Sequence, residues 1–432
     1  MEKLVIEGGT PLNGSIRISG AKNAALPILF ATLLAPGEHR LSNVPRLSDT
    51  SSTLSLLGRI GCPSLGEGTI RLDTTRVAYR EAPYEVVRRM RASVLVLGPL
   101  LARCGEAKVS MPGGCAIGTR PIDEHLRGLE ALGCKFKLDS GYIYGTCGEL
   151  VGADIHMRVP SVTGTENILM AAVLARGRST LHNAAKEPEV VDLANFLNSL
   201  GANVQGAGTD TIVVDGVPRL SPASRPYRIL PDRIEAGTYL AAAAAAGGEI
   251  EITETDPELL GSTLAKLTEA GCDIETHADR VVLRRTSPLK PFNLRTAPHP
   301  GLPTDMQAQL MALACLANGT STIEETVFEN RFMHVAELCR MGADIECHHR
   351  TAVVRGGTPL QPASVMASDL RASAALVIAA LATEGMSQVL RIYHLDRGYE
   401  DLVQKLQGVG ARIARVSDDI EDREQLLAAL DA

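Results

Sequence analysis

Six cations, a thiol and a carboxylate stand where this chain could do chemistry. Lys22, Arg91 and Arg371 open the apolar runs KNAALPILFATLL, RASVLVLGPLLA and RASAALVIAALA. These runs are hydrophobic nearly all round, the pattern of buried helices. A helix start carries unpaired N–H groups and partial positive charge, so acidic residues are the default there and a cation opposes the dipole. One such cation reads as a solvated surface charge. At three of six equivalent helix starts, cations read better as a pocket for phosphate or carboxylate groups, which the guanidinium fork suits. Arg120, Arg331 and Arg397 occupy loop junctions near such runs. Cys115 lies in MPGGCAIGTRP (111–121) among Gly113, Gly114 and Gly118 and close to Arg120. A loop so rich in glycine is a candidate lid, and its thiol could serve as nucleophile or acid. Asp305 opens DMQAQLMALACLA. It is either an N-cap carboxylate or a general base held at a helix end.

The elements that must position these residues form an internal repeat. A helical run, a Gly, a small residue and a strand recur six times, as LLGRIGC, LEALGC, LNSLGA, LTEAGC, LCRMGA and LQGVGA. The glycines, Gly61, Gly133, Gly201, Gly271, Gly342 and Gly410, are separated by 72, 68, 70, 71 and 68 residues. Each is expected to end its helix in the left-handed conformation that glycine adopts cheaply. Cys62, Cys134 and Cys272 fill the small-residue slot after the glycine and read as core filler. A second, more apolar helix in each period starts near Lys22, Arg91, Thr165, Glu235, Asp305 and Arg371. Short strands follow, and DIETHADRVVLRR and DIECHHRTAVVRGG read as hairpins. One unit therefore reads βαβαββ, with helices inside and sheets outside, in two lobes of three units each. The expected lobes are 22–229, which carries the Cys115 loop, and 1–21 with 230–415, leaving an acidic tail at 416–432. PASRPYRILPDR (222–233) is the expected connection, and EGGTPLNG (7–14) reads as a hairpin turn.

Composition narrows the function classes. The 432 residues are 45% apolar and only 3% aromatic without Trp, so the core must be built from Ala, Leu, Val and Ile. A net charge of −7 argues against nucleic acid as a partner. No apolar stretch is long enough to span a bilayer, so membrane insertion is not expected. MEKLVIEGG has no signal-peptide core, and nine scattered cysteines lack zinc-like spacing, so a cytoplasmic protein with free thiols is expected. CHHR (347–350) falls in a hairpin tip with no further ligand nearby, and neither a metal nor an organic cofactor is expected.

In sequence order, GAKNAALPIL, RRMRASVLVLGPLLAR, PGGCAIGTRPID, TENILMAA, LPTDMQAQ, ENRF, ASDLRASAALVIAAL and HLDRGYE resemble the enolpyruvyl transferases, over roughly residues 1–415. The resemblance implies an inside-out α/β barrel of two lobes with three repeats each. It implies that phosphoenolpyruvate donates an enolpyruvyl group to the 3′-hydroxyl of UDP-N-acetylglucosamine, with no cofactor. Lys22, Asn23, Arg120 and Arg397 are then the phosphoenolpyruvate contacts. Cys115 resembles the loop cysteine that acts as general acid and can form an adduct. Asp305 resembles the base near the sugar hydroxyl. Asn23, Arg91, Arg120, Pro121, Ile122, Asp123, Glu124, Asp305 and Val327 match positions that line the UDP-sugar site, and Asp369, Arg371 and Arg331 match pocket positions. PSVTGTEN (160–167) departs from the family pattern, with Thr-Gly after Ser-Val and Pro160 where a Lys can occur. The shikimate-phosphate branch of the family lacks a counterpart of the PGGC loop.

Cys115 should be the thiol that an epoxide alkylates. Peptide mapping after treatment with fosfomycin, an inhibitor of the resembled family, should find the label there, and Cys115→Asp should keep an acid in place while escaping it. Labelling mainly at Cys62, Cys134 or Cys272 would refute the assignment.

Overall fold

A computed structural model describes residues 2–87, 90–111 and 122–431. The described chain divides into two compact units, one from residues 2–19 with 231–431, the other from 20 to 230. Among the described residues each unit contains three four-stranded sheets.

The repeat predicts the sheet. In five of these sheets, a short strand runs parallel to a second, and that second strand pairs antiparallel with one arm of a hairpin. The first unit shows this with Leu12–Arg17, Gly248–Thr253, Arg280–Arg285 and Asp273–Thr276. The other unit shows it with Asp154–His156, Arg178–His182, Thr211–Asp215 and Asn203–Gln205. Both predicted hairpins form, as Asp273–Thr276 with Arg280–Arg285 and Asp344–His348 with Thr351–Arg355.

The ends of the chain depart from a simple tandem order. EGGTPLNG is not a hairpin turn. Glu2–Gly8 pairs with Gly385–Leu390 and Arg412–Ser417, whereas Leu12–Arg17 joins a different sheet. The N-terminal strand thus completes the sixth repeat. In the other unit, Tyr227–Arg228 supplies the parallel edge strand of the first repeat beside Glu38–Ser42. PASRPYRILPDR is therefore mostly part of that unit, and the chain passes between units at 19–20 and 230–231. The physical reason lies in burial: Leu4, Val5 and Ile6 are all fully covered, so Glu2–Gly8 needs a neighbour on each edge and cover on both faces. Leu4 and Ile6 face the main core, while Val5 packs with Ala414, Val416, Leu426 and Leu430. Residues 416–432, read as an acidic tail, thus supply the end of a strand and the helix Arg423–Asp431 that covers this sheet.

At the centre of the first unit lie Arg233–Ala246, Gln307–Leu316 and Leu370–Ala382, all in mutual contact. Every residue of Arg233–Ala246 is buried, and its alanines let neighbouring backbones approach closely. Lys22–Ala31, Leu97–Cys104 and Val162–Ala172 occupy the same place in the other unit. Each unit is an inside-out α/β barrel, with helices for a core and sheets for a wall.

The six repeat glycines all have positive φ, from 89° at Gly342 to 104° at Gly61. Their surroundings differ. A Cβ on Gly201 would meet nothing within 4 Å, whereas one on Gly61 would come 2.8 Å from the Ala78 Cβ. Gly201→Ala should therefore cost about 1 kcal/mol, the backbone strain alone. Gly61→Ala should cost more, because it adds a clash. Urea unfolding of the two variants checks the order, and equal losses would contradict it.

Candidate active site

In the first unit the site is built around Asp305. Pro303 sets the chain into a 3₁₀ turn, Thr304–Met306, ahead of the buried helix Gln307–Leu316. The Asp305 carboxylate does not cap that helix. Its Oδ1 accepts from Arg331 Nη2 at 2.8 Å, and its Oδ2 accepts from Arg371 Nε at 3.2 Å and Nη2 at 3.1 Å. Both guanidinium groups are buried, at 5% and 3% exposure, so little water competes for this clamp. Burial opposes the Arg371 charge, but Tyr399 and Asp305 outweigh it and the group is held above its ordinary range. Its guanidinium carbon lies 5.4 Å from the centre of the Tyr399 ring. The Tyr399 hydroxyl in turn lies 3.0 Å from Thr238 Oγ1, and Gln309 Nε2 donates to both.

Asp369, Val327 and Arg397 are tied to the elements of this clamp through neighbouring residues. Asp369 is the N-cap of Leu370–Ala382, its Oδ1 accepting from the backbone N–H groups of Arg371 at 2.9 Å and Ala372 at 3.1 Å. Arg371 is thereby fixed at the first turn, and its cationic side chain is paired rather than free. The Val327 N–H donates to Glu325 Oε1 at 2.8 Å, while Thr304 Oγ1 donates to Glu325 Oε2 at the same distance. Glu325, at 1% exposure, therefore ties the turn bearing Asp305 to the segment bearing Val327. Arg397 ends the turn Ile392–Arg397, anchored by buried Ile392 and Leu395. The next residue, Gly398, lies so close to Leu370 that an added Cβ would sit 2.6 Å from its Cδ2.

In the other unit Lys22 is the first residue of Lys22–Ala31, whose N-cap, Ala21, offers no capping side chain. Lys22 Nζ lies 3.5 Å from Asp49 Oδ2, and both side chains are largely buried. Asn23 is exposed. Arg91 is half-buried and begins the turn Arg91–Val96, again without a capping side chain. Thr165, by contrast, lies inside its helix, which starts at Val162 under a Ser161 cap. Ile122 is buried, and Asp123 and Glu124 form the first turn of Asp123–Ala131. Glu124 is committed to its neighbours, accepting from Arg127 Nη1 and from the Arg158 N–H, both at 3.0 Å. Cys115, Arg120 and Pro121 lie outside the described residues.

Beneath Arg91 is a polar hub that no motif revealed. The Asn167 Oδ1 accepts from the Gly98 N–H at 2.7 Å, so its amide nitrogen is the donor to Val94 O and to His125 Nδ1. His125 is then protonated on Nε2, which lies 3.1 Å from Thr163 Oγ1. Asn167 sits in TENILMAA, but nothing in the run shows that it points at a histidine. Asp49, His125 and Glu325 had no sequence signal, because each matters through a partner distant in the chain.

Cys62, Cys134 and Cys272 are buried, and burial pushes their thiols well above the ordinary cysteine range. Such thiols are poor nucleophiles.

Two inside-out barrels with cations and a clamped carboxylate at their helix starts define the enolpyruvyl transferase architecture. Residues 6–406 match the family model for EPSP synthase (3-phosphoshikimate 1-carboxyvinyltransferase), and the chain belongs to this family. It is 56% identical over 418 residues to a UDP-N-acetylglucosamine 1-carboxyvinyltransferase of Aeromonas hydrophila, covering 96% of this chain and all of the relative. The enzyme of that name from Sorangium cellulosum is also 56% identical, over 423 residues, with 96% and 99% covered. Among solved structures, the enolpyruvyl transferase NikO of Streptomyces tendae superposes with a TM-score of 0.87 at 28% identity, covering 96% of this chain and 99% of that one. An EPSP synthase of Acinetobacter baumannii, 17% identical with a TM-score of 0.75 over 96% of this chain and all of its own, shares the fold.

Acid should weaken the fold through His125, whose pKa burial first, and Arg91 second, push down to about 3. The unfolded chain takes up this proton near pH 6.5. Stability is therefore full above that pH and falls as pH drops from about 6.5 toward 3, by up to about 1.4 kcal/mol per pH unit. His334, pushed down to about 4 by burial, adds a loss of the same sign. Urea unfolding between pH 7 and 4 should show a flatter pH dependence for His125→Gln than for the parent. An unchanged slope would place the acid sensitivity elsewhere.

Proposed function

We propose that this chain transfers the enolpyruvyl group of phosphoenolpyruvate to the 3′-hydroxyl of UDP-N-acetylglucosamine, releasing phosphate, and so performs the first committed step of peptidoglycan synthesis. The observation that carries the reading is the Asp305 carboxylate, gripped by Arg331 and Arg371 at the opening of a buried helix, in a chain 56% identical to relatives named for this reaction.

The chemistry is addition followed by elimination. The sugar hydroxyl oxygen adds to C2 of phosphoenolpyruvate and loses its proton, while a proton adds to C3. Phosphate then leaves C2 and a proton leaves C3, restoring the double bond. Asp305 is the base for the hydroxyl, and the clamp gives it a fixed direction. Cys115 is the acid at C3. Phosphoenolpyruvate carries a carboxylate and a phosphate, and Lys22, Asn23, Arg120 and Arg397 hold them. Arg91, the run Arg120 to Glu124 and Val327 line the sugar nucleotide, and Asp369 shapes the pocket by capping the helix of Arg371. The acid and the base belong to different repeat triplets of the sequence.

A cytoplasmic location is part of this reading. It is supported by eight described cysteines that are all free thiols.

Phosphate release from phosphoenolpyruvate should depend on UDP-N-acetylglucosamine, and a shikimate phosphate should not replace it. Lys22→Ala and Arg397→Ala should each cut kcat/KM by a factor corresponding to about 2–5 kcal/mol, with the unfolding transition retained. Arg331→Ala should lower kcat more than it raises KM, since it loosens the base. Release without the sugar nucleotide would refute the acceptor, and unchanged constants in both cation variants would refute the phosphoenolpyruvate contacts.

A further inference from the structure

The sheet edge formed by Asp154–His156 and Arg178–His182 carries polar side chains that the proposed reaction does not use. The strands run parallel, and their register sets Asp154 beside Thr180 and His156 beside His182. Residues two apart on a strand share a face, so Asp154, His156 and His182 stand on one side of the sheet. Ile155 and Leu181 alternate with them and are buried at 5% and 0% exposure, which fixes the other three toward solvent. The two imidazoles stack with centroids 4.3 Å apart and planes within 12°. His182 Nε2 lies 3.0 Å from Asp154 Oδ1. One ligand atom from each of the three side chains falls within 4.8 Å of the others.

We infer that this edge binds one first-row divalent transition-metal ion, with His156, His182 and Asp154 as protein ligands and water completing the shell. Two imidazole nitrogens and a carboxylate oxygen suit Zn²⁺, Ni²⁺, Co²⁺ or Cu²⁺, whereas Mg²⁺ and Ca²⁺ prefer oxygen alone. Ligands held about 2.0–2.1 Å from one ion lie about 3–4 Å from each other. The rings lie stacked in separate, nearly parallel planes, so binding an ion requires them to turn until one nitrogen of each points at it, and exposure on the sheet edge leaves room for that rotation. The register pins the backbone beneath, because a slip by one residue would turn one histidine into the core. No spacing motif marks the site: two ligands sit two residues apart and the third follows 26 residues later, brought alongside by the parallel pairing.

The ion would act as a fastener. Asp154–His156 is a three-residue edge strand, and the Met157 N–H donates to His182 O at 3.1 Å just beyond it. The chain then runs to Ser161, the cap of Val162–Ala172. An ion bridging both strands would hold the entry to that buried helix more firmly than the short ladder does alone.

Isothermal titration of the full chain, stripped with EDTA, tests this with Ni²⁺ and with Co²⁺. One site per chain is expected, weakened at least tenfold in His156→Ala and in His182→Ala and less in Asp154→Asn, with no such site for Mg²⁺. Cu²⁺ below one equivalent should give an electron paramagnetic resonance spectrum split by two nitrogens, lost in either histidine variant. Metal-free unfolding midpoints should match the parent, and His156→Gln serves where the alanine variant fails to fold. The same affinity and stoichiometry in both histidine variants would overturn the proposal. So would loss of the site on His348→Ala, which would put the ion on the hairpin tip instead.

Discussion

A helix buried on every side can offer chemistry only at its ends, and the rest of this structure follows from that constraint. All of Arg233–Ala246 and nearly all of Leu370–Ala382 are hidden from solvent. Their flanks are spent on packing against one another and against the sheets. Pairing stabilises polar groups along a flank, as it does the Thr238 and Tyr399 hydroxyls and the Gln309 amide nitrogen. Charged residues therefore gather at the starts, where the chain enters the core. Lys22, Arg91, Asp305 and Arg371 all occupy such entries.

The starts divide into two kinds. Asp232, Asp369 and Ser161 satisfy the first N–H groups with their own side chains. The starts at Lys22, Arg91 and Thr304 have no side-chain cap. Those uncapped starts bear Lys22, Asn23, Arg91 and Asp305, all assigned to substrate or catalysis, and donors left without a side-chain cap favour anions. Asp305 is the instructive case. A carboxylate at a helix start would ordinarily cap it, but two buried guanidinium groups draw this one away and fix its direction. The same economy appears where the chain leaves the first unit. Glu235, pushed up to about 7 by burial against the pull of Lys405, accepts from the Ser19 N–H and from Lys405, and Ser19 O accepts from the Asp232 N–H.

Much of this was legible in the chain, for reasons that are local. The glycine after each helix declares itself, because a left-handed helix end excludes most side chains, and all six such glycines adopt it. The buried helices declare themselves by being apolar all round. The motifs around Lys22, Asp305, Arg371 and Arg397 are contiguous, so the resemblance to a family could be read from them. EGGTPLNG misled because a turn sequence fixes the bend and not the partner: its two strands enter different sheets.

The sequence by itself determined the repeat, the class of fold and the types of residue at the helix starts, since each depends on neighbours within a few positions. Tertiary structure alone decided which groups meet. Asp49 against Lys22, Glu325 between Thr304 and Val327, and Asn167 on His125 join segments separated by up to 42 residues. The closing of each unit by a strand from the far end of its chain is of the same kind. Pairing across such distances is set by which buried surface and which buried donor still lack a partner once the local elements have formed, and no local pattern encodes that remainder.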